Sequence, residues 1–192
     1  LLLNFDGALE APVMVHFTVL HVEQVAEKWD LSHAERLKRA QYRRSVAGRL
    51  FSAQRVRLAA RHYQEISSFL ARPEDFKEQQ DEALELRRVA MLNEAACMLQ
   101  LDSMPDVKDL CDKVLKEAPE QPKALYRRAK ALVALKEHQA ALEDLQRLRE
   151  VDPKNVAGQK LLREVKEELR KQDRASSKTF SKMCAGLGEL PE

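Results

Sequence analysis

The 192-residue sequence predicts an all-α superhelix of stacked helix pairs, closed by a long C-terminal helix and preceded by a single β-strand. Three observations carry this. Charged residues make up 33% of the chain and aromatic residues only 5%, with five Gly and seven Pro, a profile that favours helices over a sandwich or barrel. Pro119 and Pro153 each end a helical pair and stand 34 residues apart (153 − 119 = 34). Val156, Leu161, Leu162, Val165 and Leu169 then form an apolar stripe of near-helical period.

The opening "LLLNFDGALEAP" lacks a basic n-region and a recognisable cleavage site, and reads as an internal cut. Val13 to Glu23 is β-branched and alternating, with Val13, Val15, Phe17 and Val19 on one face, so it predicts a strand. A lone strand is not stable and needs a sheet from elsewhere. Trp29, the one tryptophan, is expected to pack where the strand meets the first helix. Asp30 or Ser32 then caps a helix, and Ser32 with Glu35 fits a capping box. From there to about Met183 the pattern is helix after helix.

A 34-residue period is that of the tetratricopeptide repeat (TPR). With Pro122 at position 1, Ala129 and Ala141 fall at positions 8 and 20 and Pro153 at position 32. The preceding unit starts at Arg88, with Ala95, Cys111 and Pro119 at positions 8, 24 and 32. An earlier unit starts at Ala40, with Ala47, Ala59 and Tyr63 at positions 8, 20 and 24. Its offset of 48 residues (88 − 40) exceeds 34 by 14, an extension placed around "ARPEDFKEQQDEAL". Small residues let paired helices approach closely, and stacked pairs bury a continuous core that needs a cap at its end. The stripe from Val156 to Leu169 supplies the cap, with Asp152 before Pro153 as its expected N-cap.

A net charge of +2 implies no whole-chain field for nucleic acid, so recognition must come from local clusters. Cys97, Cys111 and Cys184 are odd in number and show no Cys-x-x-Cys spacing, which favours a reducing, cytoplasmic location. Cys97 and Cys111 fall on apolar helical positions and are expected to be buried. His16, His21, His33, His62 and His138 show no metal spacing, and neither a phosphate loop nor a nucleophile elbow appears. No cofactor or metal is expected. No apolar run is long enough to span a membrane.

"QPKALYRRAKALVAL", from Gln121 to Leu135, is Ala/Leu-rich and helical by propensity, yet Lys123 and Arg127 stand four apart on one face with nothing acidic in the stretch. By composition this is a solvated basic face. Arg128 points about 100° away from Arg127, so its removal is expected to leave any function of the Lys123 face unchanged. Asn93 at mid-helix is unfavourable by propensity and implies a polar task.

Residues 12–185 resemble the TPR half of FKBP-type immunophilins and of the related aryl-hydrocarbon-receptor-interacting-protein family. "VHFTVLHVE" resembles the last strand of the FKBP-like domain, "WDLSHAERLKRA" the entry to the first TPR helix, "LNEAACMLQL" the second repeat, "KALYRRAKAL" the third and "SKTFSKM" the tail of the seventh helix. The resemblance implies an FKBP-like remnant and linker over 1–30, a TPR domain over 31–155 (repeats 40–73, 88–121 and 122–155) and a capping helix and tail over 156–192.

It further implies a co-chaperone module whose dicarboxylate clamp holds the acidic C-terminal tail of heat shock protein 90 or of the seventy-kilodalton chaperone. The clamp positions match Lys123, Arg127 and Asn93; Arg44 replaces a Lys, and Gly48 replaces an Asn, a departure that removes one hydrogen-bond arm. Arg44 has Arg36, Lys38 and Arg43 as neighbours, so a generic basic surface is the competing reading there. The alternatives are a scaffold for a different partner, or part of a peptidyl-prolyl cis-trans isomerase whose catalytic domain lies upstream; these residues alone are not expected to be an enzyme. "DRASSKTFSKM" has the basic, partly amphipathic character of a calmodulin target, which makes a weak calmodulin contact the further partner implied.

Overall fold

The computed structural model describes residues 30–187. The chain divides into two compact units, Leu1–Leu31 and Ser32–Glu192. The strand expected at 13–23, Trp29, His16 and His21 lie outside the described residues.

The second unit contains seven α-helices: α1 His33–Ser52, α2 Val56–Phe69, α3 Gln80–Gln100, α4 Met104–Glu117, α5 Pro122–Ala134, α6 His138–Val151 and α7 Val156–Leu187. α1 starts in the expected capping box: the Ser32 hydroxyl accepts from the Glu35 N–H, and the Glu35 carboxylate accepts from the Ser32 N–H at 2.9 Å. That hydroxyl also holds the Glu35 carboxyl below its usual pKa. α5 opens on Pro122, whose missing N–H would have been unpaired in a first turn anyway.

The backbone repeats as the sequence does. The turns inside the pairs α1/α2, α3/α4 and α5/α6 each place a non-glycine residue in the left-handed region: Gln54 (φ 60°), Asp102 (φ 59°) and Lys136 (φ 66°). The next N–H in each case reaches back to a carbonyl of the preceding helix, Arg55 to Leu50, Ser103 to Met98 and Glu137 to Leu132, at 2.8–3.0 Å. This is the hydrogen bond that closes a helix C-terminus in the Schellman manner. The spacings are 102 − 54 = 48 and 136 − 102 = 34. The extra residues of the first interval form a 3-10 helix, Pro73–Gln79, and lengthen the start of α3. Pro73 and Phe76 are buried there, so the extension plugs the side of the first pair.

Among the described residues each α-helix touches its chain neighbours, and α3 also touches α1 and α5, whereas α2, α4 and α6 do not touch one another. The first set is therefore the inner row and the second the outer row of the stack. The core is built in two pieces. One centres on Ala40, Ala47, Ala59, Tyr63, Ile66 and Leu86, the other on Ala95, Val107, Ala129, Ala141, Leu145 and Leu148. Met98 on α3 packs against both. Cys97 and Cys111 are buried as expected, and burial pushes their thiols up to about 11 and about 12, which keeps them protonated and unreactive.

α7 covers the end of the stack with Leu162 and Val165 buried and Leu161 and Leu169 partly so, while Val156, counted in the stripe, is 75% exposed. The expected cap is also corrected. Asp152 ends α6, and Asn155 caps α7 by accepting from the Gly158 N–H at 2.9 Å. Pro153 needs a turn between the two helices, which moves the cap three residues on. Gly158 allows the close approach of α6 and α7: a Cβ there would lie 2.6 Å from Leu148 Cδ2. From Arg170 to Ser181 the helix runs on exposed, with Phe180 and Met183 bare. No helix among the described residues is long and apolar enough to cross a membrane.

Candidate functional site

The inner row presents a strip of side chains from α1, α3 and α5. Two hydrogen bonds tie the strip together. Gln41 on α1 donates to Glu82 on α3 at 2.6 Å, and Arg127 on α5 donates to the Leu92 carbonyl on α3 at 2.6 Å. On α5 the buried residues Ala124, Leu125, Ala129, Ala131 and Leu132 face the core. The opposite face carries Lys123, Arg127, Lys130 and Ala134.

Lys123 is exposed and makes no ion pair among the described residues. Arg127 is half-buried between α3 and α5, and desolvation lowers its pKa. Its bond to Leu92 occupies one of five N–H donors, so the fork still has donors to offer. Asn93 is half-buried on α3. Burial raises the Tyr63 pKa, and Asn93 and the Arg44 charge oppose the shift. Arg44 is exposed. Gly48 is half-buried, and a Cβ there would meet nothing within 4 Å, so the departure leaves open space.

The neighbouring Arg128 turns away from this face. It donates to Asp144 at 2.7 and 2.5 Å and to Asp112 at 2.6 Å. Asp144 is 3% exposed, and these bonds hold the Arg128 pKa above its usual value. Arg128 is a structural cation joining α4, α5 and α6; both carboxylates lie outside the stretch around it, which hid them. Glu94, next to Asn93, is also buried (6% exposed), and desolvation pushes it up to about 7.

These positions make the inner strip a row of donors: an exposed ammonium, a half-buried guanidinium with spare donors, a carboxamide and a further guanidinium. Such a row receives carboxylates through charge-assisted hydrogen bonds. Among the described residues no group of three His, Cys, Asp or Glu is placed to hold a metal ion.

The described residues form a tetratricopeptide-repeat domain with a capping helix. Its fold matches the C-terminal TPR-containing domain of an FK506-binding protein from Plasmodium falciparum (TM-score 0.69, 21% identity, 77% of this chain and 99% of that one). It also matches the first TPR of Spaghetti (RPAP3) bound to the HSP90 peptide SRMEEVD (TM-score 0.57, 20% identity, 69% and 94%). Among such domains, the sequence is similar to the TPR region of FKBP-type immunophilins. It is 27% identical over 168 residues to peptidyl-prolyl cis-trans isomerase FKBP4 of Bos taurus, covering 87% of this chain and 37% of that protein. It is 32% identical over 170 residues to the FK506-binding protein-like protein of Homo sapiens, covering 88% and 47%. The chain thus spans less than half the length of these relatives. No protein-family model matches it.

Proposed function

We propose that this chain is the peptide-docking module of an immunophilin-type co-chaperone, binding the acidic C-terminal tail of heat shock protein 90 or of the seventy-kilodalton chaperone. The observation that carries it is the donor row of Lys123, Arg127, Asn93 and Arg44 on the inner helices, with Lys123 unpaired and Arg127 half-used. A peptide's terminal carboxylate and an acidic side chain would answer the like-charged pair on α5. A fold neighbour bound to SRMEEVD supports the reading. Calorimetry with that peptide tests it. A dissociation constant on the order of micromolar, about −8 kcal/mol, is expected. Arg127→Ala should weaken binding ten- to a hundredfold, for about 1.5–3 kcal/mol of lost charge-assisted bonding. Arg147→Ala, exposed on outer-row α6, is the control and should change little. Equal losses would mean a diffuse basic surface, and no binding by the unmodified protein would refute the reading.

In the same reading, residues 1–30 end an FKBP-like domain, 31–155 hold the repeats, and 156–192 form the cap and tail. The relatives include a peptidyl-prolyl cis-trans isomerase, and an isomerase assay on the full-length protein decides whether this protein shares that activity. Two buried free thiols fit a reducing cytoplasmic setting. The exposed basic end of α7, with Phe180 and Met183, is the surface a calmodulin contact would use; a calcium-dependent gel shift that vanishes on Phe180→Ala tests it.

A further inference from the structure

We propose that Lys130 is a further carboxylate-binding cation of the groove, which selects peptides with a second acidic residue about three positions before the terminal one; this rests on the peptide-docking reading above. Lys130 stands seven residues after Lys123, so at 100° per residue it points within about 20° of it, on the same open face of α5. It is exposed and forms no ion pair among the described residues.

The backbone fixes what stands level with it. Lys130 precedes the left-handed residue of its pair, Lys136, by six; Ala96 and Gly48 precede Asp102 and Gln54 by the same six. At this level the other inner helices therefore carry only small residues. Gly48 borders open space, Ala96 is half-buried, and Ala134, one turn beyond Lys130 on α5, is exposed. Lys130 is thus the cation at a level where α1 and α3 carry only small residues.

The span sets the preference. Seven residues of helix rise about 10.5 Å between Lys123 and Lys130. An extended peptide advances about 3.3 Å per residue, so two carboxylates about three residues apart bridge the two ammonium groups. In SRMEEVD the first glutamate stands at that spacing from the terminal Asp.

A double-mutant cycle by calorimetry tests this. The peptides are SRMEEVD and its two single Glu→Gln variants; the proteins are the unmodified chain and Lys130→Ala. Binding of SRMEEVD to the unmodified chain is measured first, and its absence would remove the docking reading itself. Given binding, Lys130→Ala should weaken SRMEEVD three- to fivefold, the range of an exposed ion pair. The loss should disappear for the Gln peptide lacking the partnered carboxylate. No loss with SRMEEVD, or the same loss for all three peptides, would overturn the proposal and leave Lys130 a solvated cation.

Discussion

Replacing Glu94 by Gln should make this domain more stable, and by an amount that depends on pH. Glu94 sits on α3 at 6% exposure, and its carboxyl is raised from 4.5 to about 7, first by desolvation and then by Asp106, with Lys113 opposing. The folded chain therefore holds this proton more tightly than the unfolded chain does. Below pH 4.5 the group is protonated in both states and costs nothing. Between 4.5 and 7 the unfolded chain releases the proton while the folded chain keeps it, so stability falls as pH rises. Above 7 the loss is complete, at roughly 2.5 × 1.36, or about 3 kcal/mol. Gln keeps the shape and removes the charge. Urea unfolding followed by circular dichroism should show the variant about 2–3 kcal/mol more stable at pH 8, converging on the parent towards pH 4.5. His62, held below its usual pKa by burial and by Arg43 and Arg61, acts in the opposite sense, destabilising as pH falls; it is common to both proteins and cancels in the difference. A difference that stays constant from pH 5 to 8, or a variant weaker at pH 8, would refute the reasoning.

Arg128→Ala should lose about 3 kcal/mol in chemical denaturation, because it strands Asp144 in the core; a loss under about 1 kcal/mol would mean that the pair adds nothing. Gly158→Ala should lower stability by about 1–2 kcal/mol despite better helix propensity, since its Cβ strikes the buried Leu148; an unchanged melting temperature would show that Leu148 can move. Deleting residues 157–192 should uncover the α5–α6 pair and cause aggregation, whereas deleting only 176–192 should leave the melting temperature alone, as checked by light scattering and thermal unfolding. Gly48→Asn has room for its side chain and should tighten SRMEEVD binding in calorimetry.

The helical fold was legible because punctuation and small residues carry a period. Ala47, Ala59, Ala95, Ala129 and Ala141, picked out by spacing, are all fully buried. The resemblance pointed to Arg44, Asn93, Lys123 and Arg127, and these lie on the inner-row helices α1, α3 and α5. What stayed hidden depends on partners far along the chain. Arg128 looked equivalent to any surface arginine because Asp112 and Asp144 come from other helices. Glu94 drew no attention in the sequence, because α3 packs into both core clusters and one apolar face does not describe it. Asn155 displaced Asp152 as a cap because a proline-bearing turn intervenes before the next helix.

The two-piece core has a kinetic meaning. No helix touches another more than two places away along the chain, so contacts are local and folding should be fast and incremental. The two clusters meet on α3, which makes the first helix pair a cooperative unit able to open while the remaining pairs stay closed. Amide protons of α1 and α2 should then exchange earlier than those of α4 and α5. Such an opening removes Arg44 from the groove but leaves Lys123, Arg127 and Lys130 on an intact α5. A bound peptide would hold α1 and α2 shut, so occupancy of the groove should slow their exchange most.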